Sequence, residues 1–111
     1  PSLDSFPQRA IAKKLWSDDE AISGMMSIIL NTEDEEKIDK FMAKLEFVHY
    51  ATTLGGLRTT LNHPCTSSHS HMPDADRRAM GITPGMFRVS VGIEDTEDLI
   101  NDFKQAFEAL D

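Results

Sequence analysis

The sequence predicts a small α+β domain in which helices cover one face of a sheet of three or four strands. Two long segments, 31–45 and 96–110, carry apolar residues at helical spacing. They alternate with short apolar runs of strand length, 24–30 and 86–93. A chain of 111 residues, 40% of them hydrophobic and 27% charged, has the size and composition of one globular domain. The uncovered face of such a sheet must meet water or another domain.

The first half of the chain predicts a helix, a strand, a helix and a strand, in that order. FPQRAIAKKLW has apolar residues at roughly helical spacing, and Pro7 is suited to a first helical turn. GMMSIIL, 24–30, is short, continuous and β-branched near its end, which favours a buried strand. Thr32 and Glu35 have capping-box spacing. One apolar stripe follows, formed by Ile38, Phe41, Met42 and Leu45. FVHYA is the next, shorter strand candidate.

A segment without periodicity, 51–72, comes next and predicts a loop of about twenty residues. Connections of that length in small domains are usually functional or disordered. A short helix in PDADRRAMG is predicted to begin at Pro73 and to end at Gly81, and GITPG has the composition of a turn.

The last strand and the last helix have the clearest patterns. MFRVSVGI alternates, so that one face carries Phe87, Val89, Val91 and Ile93. The final helix is predicted to begin near Thr96, with Asp95 as its N-cap. Its core-facing residues are Leu99, Ile100, Phe103, Ala106, Phe107 and Leu110.

The charge of the chain argues against nucleic-acid binding. A formal net charge of −8 and a pI near 4.8 work against binding a phosphate backbone, since such binding needs clustered Lys and Arg. The acidic groups SDDE, NTEDEE and IEDTED each stand at a likely helix start, where they would complement the helix dipole. The alternative for these groups is an acidic interaction surface.

Location follows from what the sequence lacks. No apolar run approaches the roughly 20 residues of a membrane span, and we find no signal peptide. A lone cysteine rules out an internal disulfide framework, so we expect a reducing cytoplasm. The chain begins at Pro1 without a methionine, and we expect it to be a fragment of a larger protein.

The stretch NHPCTSSHSHMP concentrates metal-binding residue types: His63, Cys65, His69 and His71. A structural zinc site needs four ligands at closed spacing, whereas these are loosely spaced and have no second cysteine. Two histidines on one extended segment, His69 and His71, could converge on an ion. The pattern favours a solvated loop in which Ser and Thr hydroxyls bind the backbone, and therefore no metal site.

Arg88 stands out because alternation places it opposite the apolar face of its strand. Ser90 and Gly92 share its side. A guanidinium in mid-strand is suited to a two-point grip on a carboxylate, and the missing side chain at Gly92 leaves room for another surface to approach. The alternative is an exposed arginine on an open sheet face.

The second half of the chain resembles the C-terminal part of the cystathionine γ-synthase and γ-lyase family, which includes methionine γ-lyase. The matching segments are LGG, HP followed by SSH, RRAMGI and RVSVGIEDTEDLINDF, in the order and spacing of the family. The first fifty residues fit more loosely, and GMMSIIL resembles the strand that opens the family's small domain. These are pyridoxal 5′-phosphate (PLP) enzymes of cysteine and methionine metabolism.

The resemblance implies that residues 1–111 are a single, C-terminal substrate-binding domain of a fold-type I PLP enzyme, with a three- or four-stranded, mainly antiparallel sheet. PLP would be bound by an N-terminal domain that is absent here. None of the six lysines lies in the family's lysine motif, so the chain holds no catalytic residue and is expected to be inactive alone. The parent enzyme is expected to be a homotetramer that acts on a small amino acid and binds neither nucleic acid nor membrane.

The family's substrate contacts carry over to five positions. Arg88 matches the arginine that grips the substrate α-carboxylate, and Thr53 matches a position, usually serine, that helps to hold it. Leu54 lies near the substrate through its backbone. Thr52 occupies a position beside them. Ser68, which is followed by a histidine, matches a small hydroxyl-bearing residue in the wall of the family's active site.

The expected reaction is carbon–sulfur bond cleavage in a sulfur amino acid, of the methionine γ-lyase or cystathionine lyase type. The alternatives are γ-replacement on an activated homoserine, and a stand-alone domain without catalysis. Thr52 stands where branches that act on cystathionine often carry glutamate, which weakens recognition of the distal amino group. Arg58 stands where glutamate is common, and the sequence gives it no role.

Overall fold

The structure is a computed structural model that describes residues 3–16 and 23–111. The helices are α1 (Arg9–Ala12), α2 (Glu35–Lys44), α3 (Asp74–Ala79) and α4 (Thr96–Phe107). The strands are β1 (Met25–Ile29), β2 (His49–Tyr50), β3 (Thr60–Asn62) and β4 (Met86–Ser90). Short 3-10 helices span Pro64–Thr66 and Glu108–Leu110. The acidic group SDDE, 17–20, lies outside the described residues.

The four strands form one sheet in the order β1-β4-β3-β2. β4 is antiparallel to both β1 and β3, whereas β2 runs parallel to β3. Helices α2 and α4 cover one face, on which Phe41 contacts Phe87 with ring centroids 5.5 Å apart. The predicted α+β fold, with a mainly antiparallel sheet and helices on one face, is confirmed. No helix in residues 3–16 and 23–111 has the length and apolar content to cross a membrane.

The core forms where the apolar residues of α2 and α4 meet those of the sheet. It is made of Leu30, Ile38, Phe41, Val48, Leu61, Phe87, Val89 and Ala106, all buried. Phe107 stacks on Phe41 at a centroid distance of 5.3 Å although its outer edge is exposed. Burial of side chains of this size contributes roughly 1.5–3 kcal/mol each. The stripes predicted for the two long helices therefore do form the core.

Both long helices are capped by aspartate. Asp95 accepts hydrogen bonds from the N–H groups of Glu97 and Asp98, as predicted. At α2 the capping-box prediction was wrong, because Asp34 rather than Thr32 is the N-cap. A carboxylate at this position satisfies two free N–H groups and also complements the helix dipole.

The missed element is β3, which lies inside the segment predicted as a structureless loop. Only one of its residues, Leu61, is apolar, so the strand has no apolar alternation to detect. Three polar residues in or beside β3 are also buried: Thr59, Asn62 and His63. Strand pairing with β4, a tertiary contact, is what defines it.

Three predictions of burial were wrong. β1 is an edge strand with exposed Met26 and Ile29, and the first fully buried residue after it is Leu30. Ile93 is exposed because β4 ends at Ser90 and the chain turns toward α4, which breaks the alternation. Ile100 of α4 is also exposed, and the same helix instead buries Asp102.

Candidate functional site

The open face of the sheet, opposite α2 and α4, carries the polar side chains of β3 and β4. Arg88 pairs in register with Ser27 on one side and with Asn62 on the other. Ser90 pairs with Thr60. Alternation places all of these on the side away from Phe87 and its core neighbours, which confirms the predicted facing of Arg88.

The segment 52–57 connects β2 to β3 and crosses this open face. Arg88 Nη2 donates to the carbonyl oxygen of Thr52 at 2.8 Å. Thr60 Oγ1 donates to the carbonyl oxygen of Thr53 at 3.1 Å. The N–H of Gly55 donates to Ser90 Oγ at 2.9 Å. Three side chains of the sheet therefore hold three backbone groups of this segment beside the arginine.

Arg88 is half-buried, and among the described residues its charge has no ion-pair partner. Within residues 3–16 and 23–111, no carboxylate lies within ion-pair distance of it. Its hydrogen bond to Thr52 uses one of five N–H donors. The remaining donors have the planar geometry that matches an incoming carboxylate.

The space left by Gly92 is filled by this chain's own backbone. A Cβ at Gly92 would lie 2.6 Å from the carbonyl carbon of Arg58 and would also collide with the carbonyl oxygen of Leu57. The N–H of Gly92 donates to Thr59 Oγ1 at 2.9 Å, and Thr59 Oγ1 donates to Glu94 at 2.8 Å. The sequence predicted room for another surface at Gly92, and in the structure this chain's own backbone takes that room and anchors the far end of the 52–57 segment.

Glu94 supplies the charge in the group of contacts that joins Gly92 to Thr59. Burial acts to raise the pKa of its carboxyl, but the N–H and hydroxyl of Thr59 stabilise the carboxylate, and the pKa is lowered overall. Arg58, beside it, donates from Nη1 to His49 Nε2 at 3.0 Å. The arginine that had no role in the sequence therefore contacts β2 at the edge of the open face.

Gly92→Ala should lower the free energy of unfolding by about 2 kcal/mol, because the backbone at Arg58 has to move away from the new methyl group. Gly24→Ala is the matched control, since a Cβ there would meet only the carbonyl oxygen of Val91 at 3.6 Å. Urea denaturation of both variants measures the difference. Equal stability of the two variants would contradict the close packing at Gly92.

Ser68 lies apart from these residues, on the turn that follows the 3-10 helix. Its Oγ lies 2.8 Å from His69 Nδ1, and the side chain is exposed. The neighbouring hydroxyls do bind backbone, as the solvated-loop interpretation predicts: Ser67 Oγ donates to the carbonyl of His63 at 2.7 Å, and Ser70 Oγ donates to that of Ser67 at 2.9 Å. Within the described residues, Ser68 contacts His69 and Arg88 contacts Thr52, so the structure does not bring Ser68 and Arg88 together.

Two of the four candidate metal ligands, His63 and Cys65, are engaged in other contacts. His63 is buried, stacks on Phe87, and has Thr66 Oγ1 at 2.9 Å from Nδ1 and the carbonyl of Pro84 at 2.6 Å from Nε2. Cys65 donates from Sγ to the carbonyl of Thr83 at 3.2 Å, and burial raises the pKa of its thiol. In the described part of the chain, no three His, Cys, Asp or Glu residues are grouped so as to hold an ion.

Zinc should therefore neither bind tightly nor stabilise the fold. A structural zinc site would make the melting temperature fall when a chelator is added. Thermal melts of the chain with and without EDTA, and elemental analysis for zinc, provide the test. One bound zinc per chain would show that the loop binds metal after all.

The described residues do not fit PLP. The lysines lie at the end of α1 and on α2 and α4; Lys37 donates to the carbonyl of Leu110 at 2.6 Å, and Lys40 pairs with Glu36 at 2.8 Å. A cavity of about 780 Å³ beside α2 is lined by two carboxylates, Glu35 and Asp39, which repel a phosphate group, and by Arg77, whose charge is already paired with Asp74 at 3.3 Å.

The fold is one found in fold-type I PLP-dependent enzymes. The crystal structure of a cystathionine γ-synthase from Xanthomonas oryzae pv. oryzae, in complex with cystathionine, superposes with a TM-score of 0.84 at 32% identity. The match covers 99% of this chain and 27% of that one.

The chain belongs to the Cys/Met metabolism PLP-dependent enzyme family, whose model matches residues 1–108. It is 38% identical over 108 residues to a cystathionine β-lyase of Lactococcus lactis subsp. cremoris, covering 97% of this chain and 27% of that protein. It is 36% identical over 110 residues to an L-methionine γ-lyase of Treponema denticola, covering 99% and 26% respectively. The chain thus spans about a quarter of the length of these relatives, which are trans-sulfuration enzymes of more than one type.

Proposed function

We propose that residues 1–111 form the C-terminal domain of a PLP-dependent trans-sulfuration enzyme and bind the α-carboxylate of its substrate. The reaction is carbon–sulfur bond cleavage in a sulfur amino acid, of the methionine γ-lyase or cystathionine β- or γ-lyase type. The observation that carries the proposal is Arg88, a half-buried guanidinium without a counter-charge among the described residues, on the open face of the sheet.

The surroundings of Arg88 support an anion site made for a carboxylate. Thr52, Thr53 and Leu54 lie on the segment that crosses the face beside it. With one donor fixed on the carbonyl of Thr52, the guanidinium is oriented before a ligand arrives, which lowers the entropic cost of binding. We include Ser68 among the proposed substrate contacts, although it would approach the substrate from a different segment, the turn that follows the 3-10 helix.

The open face also has the character of a surface that another domain covers. Three apolar side chains are exposed there. They are Ile29 of β1, which is 62% exposed, and Leu54 and Leu57 of the segment 52–57, which are 61% and 73% exposed. Apolar side chains grouped in this way mark contact surfaces. A PLP-binding domain packed there would bring the cofactor to the substrate that Arg88 holds.

In this arrangement PLP, held by the rest of the enzyme, supplies the electron sink. Arg88 binds the substrate carboxylate and so fixes which substrate bond faces the cofactor, a contribution of positioning rather than of proton transfer. Thr52 offers no carboxylate to a distal amino group, which favours substrates that have none. We include assembly into a homotetramer in the proposal, and light scattering of the full-length enzyme tests it.

Replacement at the γ carbon is the second candidate, and the match to the Xanthomonas oryzae synthase supports it. Assays of the full-length enzyme with methionine, cystathionine and cysteine, and with an activated homoserine plus a thiol, separate the two. Release of a 2-oxo acid without a thiol acceptor identifies the lyase. Turnover that requires the acceptor identifies the replacement enzyme, and no turnover by a PLP-loaded protein would favour a non-catalytic domain.

The 111-residue chain alone should form no stoichiometric PLP adduct, because its lysines lie on α2 and α4 or just after α1, and none lies in the family's lysine motif. Mixing it with PLP, reducing with borohydride and mapping the modified peptides tests this. Scattered, substoichiometric labelling of surface lysines is the expected result. A single fully modified lysine would contradict the assignment of the cofactor to another domain.

A further inference from the structure

Two hydroxyl side chains, neither of them a proposed substrate contact, hold the segment that carries Thr53 and Leu54. Thr60 and Ser90 are register partners on adjacent strands. Their hydroxyls act in opposite senses, since Thr60 donates to the carbonyl of Thr53 and Ser90 accepts from the N–H of Gly55. The backbone of Leu54 is therefore fixed from both sides.

The contact at Ser90 sets the geometry of this turn. Ser90 is only 3% exposed and belongs to β4, two residues from Arg88 on the same face. Gly55 has a φ of +70°, in the left-handed region that favours glycine. A segment with this permissive residue has many accessible conformations, and the hydrogen bond to a rigid strand selects one of them.

We propose that Ser90 is a positioning residue for substrate binding. It holds the backbone of Thr53 and Leu54 at a fixed place relative to Arg88, so that segment and guanidinium meet the two oxygens of one carboxylate together. Ser90 itself does not touch the substrate, and Thr60 supports it from β3. The inference rests on the proposed function, because it requires a carboxylate at Arg88.

The test uses the full-length enzyme, with glycine as a non-reacting amino-acid probe and glycinamide as its counterpart without the carboxylate. Ser90→Ala should raise the inhibition constant of glycine about tenfold and change that of glycinamide less than about twofold, since only the carboxylate contact is loosened. Hydrogen exchange followed by mass spectrometry should show faster exchange in the peptide containing 52–57. Ser90→Thr, which keeps the hydroxyl, should restore glycine binding.

Ser70→Ala is the matched control. It also removes one 2.9 Å hydrogen bond between a serine and the backbone, but that bond lies within the turn after the 3-10 helix and not on the 52–57 segment. Ser70→Ala should change neither the inhibition constant of glycine nor that of glycinamide. If Ser90→Ala fails to fold, Thr60→Val, which keeps the branched shape but removes the donor to Thr53, should produce the same selective loss.

The outcomes separate this inference from the function on which it rests. If Arg88→Ala leaves glycine binding unchanged, the carboxylate site itself is wrong. If Arg88→Ala weakens glycine binding but Ser90→Ala and Thr60→Val do not, or if exchange in 52–57 stays slow, only the positioning role is overturned.

Discussion

Arg88→Ala in the full-length enzyme should lower kcat/KM by on the order of 10²-fold, equivalent to about 3 kcal/mol, because a charge-assisted two-point contact with the substrate is lost. Arg88→Lys should also be impaired, since an ammonium group cannot reproduce the planar grip. The melting temperature should change little, because the side chain lies on the face opposite the core and forms one hydrogen bond, to Thr52. Steady-state kinetics and thermal melts measure the two effects separately.

Arg78→Ala is the control for loss of an arginine. Arg78 lies on α3 and pairs with Glu33 and Asp74 at 2.7 Å, both on the surface. Exposed pairs of this kind contribute little to stability because solvent screens them, and no catalytic effect is expected. Near-normal turnover of Arg88→Ala would remove Arg88 from the site, and a large drop in its melting temperature would show a structural role.

Asp102→Asn should be the most destabilising of these substitutions, lowering the free energy of unfolding by about 3–4 kcal/mol at pH 7. Asp102 is 3% exposed, and its carboxylate accepts from three successive backbone N–H groups, those of Glu46, Phe47 and Val48, at 2.7–2.9 Å. An amide presents N–H groups to some of these donors and leaves them unpaired in the interior. Urea denaturation of the 111-residue chain is the measurement.

Asp98→Asn is the control, because it removes the same charge from the exposed first turn of α4 and should cost less than about 1 kcal/mol. A loss at Asp102 no larger than that at Asp98 would show that the connection between α2 and β2 does not depend on the buried carboxylate.

The stabilisation by Asp102 should depend on pH. Burial acts to raise the pKa of this carboxyl, but the hydrogen bonds from Glu46, Val48 and Phe47 outweigh it, and the pKa in the folded state lies below its ordinary value. The folded state therefore binds fewer protons than the unfolded state near the ordinary aspartate pKa of about 3.9. The stabilisation is complete above that pH and is lost as the pH falls through the lower, folded-state value. The stability gap between wild type and Asp102→Asn should close over this range.

Short-range patterns determined much of this protein. The stripe from Ile38 to Leu45 and the alternation at Phe87 and Val89 define an amphipathic helix and a one-sided strand, since each period needs only neighbouring residues. The same alternation placed Arg88 on the opposite face. The matching segments between LGG and RVSVGIEDTEDLINDF identified the family, which the comparisons confirm.

Only the tertiary structure decided how residues distant in the chain meet. β3 has one apolar residue and exists because β4 supplies its hydrogen-bond partners, so no local period could reveal it. In the sequence, Asp102 is indistinguishable from the other polar residues of its helix. Its role depends on the N–H groups of 46–48, which lie more than fifty residues away in the sequence and come together around it only in the fold. The partners of Ser90 and Gly92 were hidden for the same reason. A hydrogen bond or a close backbone contact depends on distances in space, whereas periodicity records only which side of an element each residue faces.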